Sequence, residues 1–74
     1  MKLIKTGSNT TELTLNSGTV VLFSYNTPVA ARDSIGNTFH TSTKYSVTTS
    51  KHINAFAGKS AEEKDQAFFN GLVA

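Results

Sequence analysis

The sequence contains no cysteine, no tryptophan and a single proline in 74 residues. Without cysteine there are no disulfides, and zinc sites built on thiolates are excluded as well. That composition fits a reducing compartment. A chain of 74 residues is one domain, residues 1–74, and at this size it buries only roughly 60% of its unfolded surface. Lacking a covalent staple, it depends on close packing or on self-association, and a homodimer is expected. Long apolar runs are missing too. The longest, Val20 to Phe23, has the length of a buried strand and falls far short of a membrane span. Lys2 and Lys5 bracket only Leu3 and Ile4, too little for a secretory core. The expectation is a soluble, cytoplasmic protein with no membrane partner.

Dense charge is equally scarce. The net charge is +2, but it is unevenly placed. Residues 1–59 carry six bases (Lys2, Lys5, Arg32, Lys44, Lys51, Lys59) and two acids (Glu12, Asp33), a balance of +4. Residues 60–74 set Lys64 against Glu62, Glu63 and Asp65, a balance of −2. Acids there suit the positive end of a helix dipole. The mildly basic remainder could meet a phosphate backbone, yet dedicated nucleic-acid binders carry denser clusters.

What is abundant is threonine and serine, alternating with apolar residues through residue 50, the period of strands with one wet face. Lys2–Lys5 reads as a first strand, Thr6–Thr10 as a turn, and Thr11–Leu15 as a second strand. Asn16-Ser17-Gly18 is a three-residue hairpin loop with Gly18 at the left-handed position. Thr19–Tyr25 is the central strand and is apolar on both faces near its start. Asn26-Thr27-Pro28 interrupts it, and Val29–Arg32 resumes at an edge, where proline is tolerated. Asp33–Asn37 is a second hairpin connection. Thr38–Val47 is the last strand, with Ser42 the place where it would bend or split.

After Thr48 the period changes. Ile53, Phe56 and Ala57 follow helical spacing, Thr49 or Ser50 serves as N-cap, and Gly58 is the stop. Ser60 and Glu63 form a capping-box pattern for a second helix from Ala61 to about Asn70. The fold class expected is therefore α+β: an antiparallel sheet of four to five short strands followed by two C-terminal helices packed on one face. The chain would be strand-rich over 1–48 and helical over 49–73. The helix-bearing face is expected to carry Leu13, Leu15, Phe39, Tyr45 and Val47.

One segment gathers chemistry. Ser46–His52 leaves a strand and enters a helix with hydroxyls, a lysine and an imidazole, so Thr49, Ser50, Lys51 and His52 form a candidate anion or ligand site. The simpler reading is that Thr49 or Ser50 caps the helix and the other hydroxyls satisfy a polar strand end. His40 and His52 lack a third ligand at a recognised spacing, so no metal or cofactor is expected. No serine has a nucleophile-elbow pattern, and enzyme activity is not expected. Phe23, Tyr25, Phe39 and Tyr45 could stack single-stranded bases, but a domain this small needs rings in its core. Tyr25, His40 and Lys44 are the residues assigned to a candidate interaction surface.

Ser24-Tyr25-Asn26-Thr27-Pro28-Val29-Ala30 and Tyr45-Ser46-Val47-Thr48-Thr49-Ser50-Lys51-His52-Ile53-Asn54 together resemble a family of short, uncharacterised phage proteins. That family is common among phages of marine bacteria, with an SY-x-TPVA … YS-x-TTS-x-HIN pattern. Its members often have tryptophan shortly after the second stretch, where this chain has Phe56. The resemblance implies a phage-encoded accessory protein of unknown role and carries over no catalytic residue. Beside the residues themselves, it favours a non-enzymatic protein-binding module acting on a host factor. The alternatives are a small nucleic-acid-binding protein, or a binder of a phosphorylated small ligand at the strand–helix junction.

Overall fold

The computed structural model describes residues 2–7, 9–58 and 61–73. Five strands come first: β1 (Lys2–Lys5), β2 (Thr10–Thr14), β3 (Val20–Ser24), β4 (Thr27–Arg32) and β5 (Thr38–Thr41). Helix α1 (Val47–Ala57) follows, then a sixth strand, β6 (Glu62–Lys64), and helix α2 (Gln66–Leu72). The sheet order is β1-β2-β3-β4-β5-β6, antiparallel except for the parallel pair β5–β6. The α+β class holds, but the expected all-antiparallel sheet of four to five strands does not.

The two hairpin loops read from the sequence close in the same way. Leu15 N–H bonds to the Thr19 carbonyl at 2.8 Å and Gly18 N–H bonds back to the Leu15 carbonyl at 3.0 Å. Asp33 repeats this with Asn37 and Gly36 at 2.9 and 3.1 Å. Gly18 has φ 93°, a conformation that costs a residue with a Cβ but not glycine. Asp33 adds side-chain support. Its Oδ1 accepts from the amides of Ile35 (3.1 Å) and Asn37 (2.8 Å), and its Oδ2 from Asn37 Nδ2 (3.0 Å).

The helices do not share a face, which corrects the sequence-based expectation. Val21 and Ala31, fully buried, pack with Phe69 of α2, and Leu15, Phe23 and Phe39 border that cluster. Leu22, Val29 and Ala30 form a second cluster on the opposite face, covered by Ile53 and Phe56 of α1. Arg32 lays its guanidinium over the Phe56 ring at 4.8 Å. The reason is visible in β3 and β4: adjacent residues Val21 and Leu22, and Ala30 and Ala31, point to opposite faces and are all buried. One helix cannot cover both. The parallel β5–β6 pair requires a crossover, and α1 supplies it on one face. Of the residues expected beneath the helices, Leu15 and Phe39 do border the α2 cluster. Tyr45 and Val47 are exposed and lie beyond the strand, which ends at Thr41.

Two further expectations are corrected. Pro28 lies in an interior strand, between β3 and β5, and not at an edge. The register steps from Leu22↔Ala30 to Phe23↔Pro28, so Val29 is an extra residue in a bulge, the other setting where a strand tolerates proline. The segment read as the start of a second helix is instead β6. Ser60 of the expected capping box lies outside the described residues. Asp65 is the cap of α2, its Oδ1 accepting from Phe68 N–H at 3.1 Å. Lys64 explains why a charged triplet holds as a strand: its ammonium reaches Glu62 at 2.6 Å and sits over the Phe39 and Phe68 rings.

The Asp33 loop makes a pH-dependent contribution. Desolvation pushes its carboxyl pKa up, but the hydrogen bonds from Asn37, Ile35 and Gly36 outweigh it and hold the pKa below its ordinary 3.8. A carboxylate whose folded pKa is depressed stabilises the fold above its unfolded pKa, and loses that effect as pH falls through the folded value. Asp33→Asn is therefore expected to lower the urea midpoint at neutral pH. The gap from wild type should close in strong acid; a gap constant with pH would contradict the assignment.

Candidate functional site

Ser24 ends β3 on the α1 face, in the alternation of Val20 and Leu22. Its side chain is buried and meets α1 directly. Ser24 Oγ lies 3.0 Å from Thr49 Oγ1 and 2.8 Å from His52 Nδ1. Thr49 Oγ1 in turn accepts from Ser46 Oγ at 3.3 Å. Every hydroxyl in this chain donates once if Ser46 gives to Thr49, Thr49 to Ser24 and Ser24 to His52. Such chains strengthen cooperatively in a low-dielectric setting.

Ser46 is the N-cap of α1, its Oγ accepting from Thr49 N–H at 3.1 Å. That corrects the assignment of the cap to Thr49 or Ser50, both of which lie in the first helical turn. Thr49 is 4% exposed and committed to Ser24 and Ser46. His52 is half-buried beside Ser24, three residues on along the same face of the helix. Ser50 and Lys51 are exposed. Thus the four candidate ligand residues do not converge on one opening: Thr49 and Ser50 border one hollow beside β5, His52 borders another, and Lys51 is exposed. A phosphate would find the Thr49 amide already bonded to Ser46, and the Ser50 amide bonded to the Ser46 carbonyl at 3.0 Å.

The residues around this node form a more open feature. Tyr25 and Asn26 make the two-residue turn between β3 and β4, and Tyr25 has φ 58°. Glycine or asparagine normally fills such a position, and a bulky ring there costs roughly 1–2 kcal/mol. Tyr25 N–H bonds to the Asn9 carbonyl at 2.7 Å, which holds the turn, and its ring lies 6.3 Å from that of His52. Tyr25 and Tyr45 both line a groove of about 450 Å³, together with Lys44, Ser46, Ser24 and Thr49. Tyr25 is 52% exposed and Tyr45 47%. Among the described residues no acidic side chain lines this groove.

Tyr45 is fixed by Gln66, which the sequence reading did not single out. Gln66 Oε1 accepts from Tyr45 Oη (2.8 Å) and Thr41 Oγ1 (2.9 Å), and Nε2 donates to the Pro28 carbonyl (2.8 Å) and Asn70 Oδ1 (3.1 Å). One side chain thus ties the Tyr45 loop, the Pro28 bulge and α2 together. The members of the candidate interaction surface are partly united. Tyr25 and Lys44 share the groove, while His40 and Lys44 border a neighbouring hollow of about 250 Å³ that also includes Glu63. His40 Nδ1 lies 3.0 Å from the Thr41 carbonyl. Ser24 had one legible signal, a hydroxyl on the face otherwise carrying Val20 and Leu22. Gln66 had none.

A model for a family of unknown function (DUF8033) matches residues 1–71. The chain belongs to that family. This agrees with the expectation of an uncharacterised family. No curated protein and no solved structure matches the chain. Among the described residues no group of three or more His, Asp or Glu side chains could hold a metal, and no helix is long and apolar enough to cross a membrane.

The hydroxyl node is a structural element with a measurable weight. Thr49→Val removes its bonds to Ser24 and Ser46 inside a buried site, an expected loss of about 1–3 kcal/mol in urea unfolding. Ser50→Ala, one residue on and exposed, should change stability by less than about 0.5 kcal/mol. Equal effects at the two positions would contradict the buried chain.

Proposed function

We propose that this member of the family is a non-enzymatic protein-binding module that uses the Tyr25–Tyr45 groove. Its setting is a phage accessory protein that engages a host factor in the cytoplasm of an infected cell. The observation that carries this reading is the pair of half-exposed tyrosines lining one groove, one of them held at positive φ. Tyrosine supplies large contact area with few rotatable bonds and a polar tip, which is why it is enriched at interfaces and among hot spots. A bulky residue kept in a strained turn is retained against a stability cost, and such strain concentrates at functional positions. Lys44 and the absence of acids favour a partner surface with negative charge.

Catalysis is not favoured by the same geometry. Ser24 and His52 are close enough for a nucleophile–base pair, but Ser24 is buried and shares its hydroxyl with Thr49. Among the described residues no carboxylate is hydrogen-bonded to His52 to orient it as a base. A phosphorylated small ligand at Thr49–His52 is disfavoured because the Thr49 and Ser50 amides and the Thr49 hydroxyl are already bonded. Single-stranded nucleic acid is the second reading, favoured by the two exposed rings together with Lys44.

The discriminating variant is Tyr25→Gly. It relieves the strained turn, so stability should stay level or rise by about 1 kcal/mol. Capture of the partner from a host lysate should nevertheless fall at least tenfold, and Tyr45→Ala should do the same. A single host protein recovered at fixed stoichiometry and insensitive to nuclease supports the first reading. Recovery abolished by nuclease, with oligonucleotide binding that falls steeply with salt, supports the second. Undiminished capture by both variants would remove the groove from either role.

A further inference from the structure

The outer edge of β1 is used by nothing described above. Thr6 N–H bonds to the Thr10 carbonyl at 3.0 Å, and an antiparallel ladder alternates with a period of two. Lys2 and Ile4 therefore turn their backbone groups toward β2, while Leu3 and Lys5 turn theirs to the open edge. All four residues are exposed, Leu3 to 67% and Ile4 to 44%. The β1–β2 register runs without a bulge from Lys2↔Thr14 to Lys5↔Thr11, so no irregularity blunts this edge.

We infer that β1 pairs antiparallel with β1 of a second copy, about a two-fold axis at Leu3. This surface is distinct from the hydroxyl node, although Leu3 and Tyr25 border one hollow of about 250 Å³. Symmetry narrows the registers. A two-fold axis normal to the sheet keeps each side chain on its own face, so the axis must fall on a residue and never between two. Centring on Lys2 or Lys5 sets like charges directly opposite, which is unfavourable. Centring on Ile4 places the two isoleucines between Glu12 of each copy, since Ile4 neighbours Glu12. Centring on Leu3 builds one apolar row across the joint sheet, Leu13–Leu3–Leu3–Leu13, because Leu3 neighbours Leu13. In that register Lys2 lies opposite the second copy's Ile4, one strand from its Glu12, and no lysine faces a lysine. Apolar contact and charge complementarity select the same register. The outward N–H and C=O of Leu3 are then those that bond across the axis.

Sedimentation equilibrium is expected to give twice the 7.9 kDa chain mass, and Leu3→Arg the single mass with an unchanged far-UV spectrum. The lack of cysteine allows a sharper test. Cα atoms of a hydrogen-bonded antiparallel pair lie about 5.5 Å apart, within disulfide range, so Leu3→Cys should cross-link to a dimer on mild oxidation. At Ile4 the two copies' Cα atoms lie one residue to either side of the axis, two residues apart along the strands, and fall beyond about 7 Å, so Ile4→Cys should cross-link at least about tenfold more slowly. Leu3→Cys preserves the shape of the edge and remains informative if Leu3→Arg fails to fold. A wild type that stays at 7.9 kDa over the whole concentration series, or faster cross-linking of Ile4→Cys than of Leu3→Cys, overturns the proposal.

Discussion

Strands β3 and β4 bury side chains on both of their faces, Val21 and Ala31 on one and Leu22 and Ala30 on the other. Leaving either face open to water would forfeit about 1.5–3 kcal/mol for each large side chain exposed. In a chain of this length that loss approaches the whole margin of stability. The two faces must therefore be covered separately. Helix α1 lies over Leu22, Val29 and Ala30 through Ile53 and Phe56, and α2 lies over Val21 and Ala31 through Phe69. To change faces the chain re-enters the sheet plane as β6, which is why three charged residues form a strand beside β5.

The groove follows from the same constraint. Covering the Leu22 face with α1 brings Thr49 and His52 against Ser24 and forces a buried polar contact, answered by the hydroxyl chain back to Ser46. Covering the Val21 face with α2 brings in Gln66, which holds the Pro28 bulge and Tyr45 in place. The Tyr25 turn and the Tyr45 loop are thus anchored from opposite sides of the sheet. The groove between them is positioned by both helices, although neither tyrosine belongs to one.

Local chemistry was legible in the sequence wherever a few neighbouring residues decide the outcome. Gly18 with Asn16 and Ser17, Asp33 with Asn37, and the spacing of Ile53, Phe56 and Ala57 each fix a turn or a helix without help from afar. The double burial of β3 was also legible, and it contradicts placing both helices on one face. What escaped the reading depends on distant partners. Glu62–Lys64 has no strand propensity of its own and pairs because the β5 edge is open to it. Pro28 suggested an edge, but a bulge at Val29 gives the proline an interior place. At the site, Thr49 drew attention as a donor for an anion, whereas its helical phase turns it to the sheet. The capping role fell to Ser46, which lies nearest the end of the strand.

Long-range proton–proton contacts measured by NMR test the two-sided arrangement most directly. Cross-peaks are expected from the Ile53 side chain to the Leu22, Val29 and Ala30 cluster, and from the Phe69 ring to Val21 and Ala31. None is expected from Ile53 to Val21 or from Phe69 to Leu22. Cross-peaks from Ile53 and Phe69 to the same cluster would place both helices on one face and contradict it.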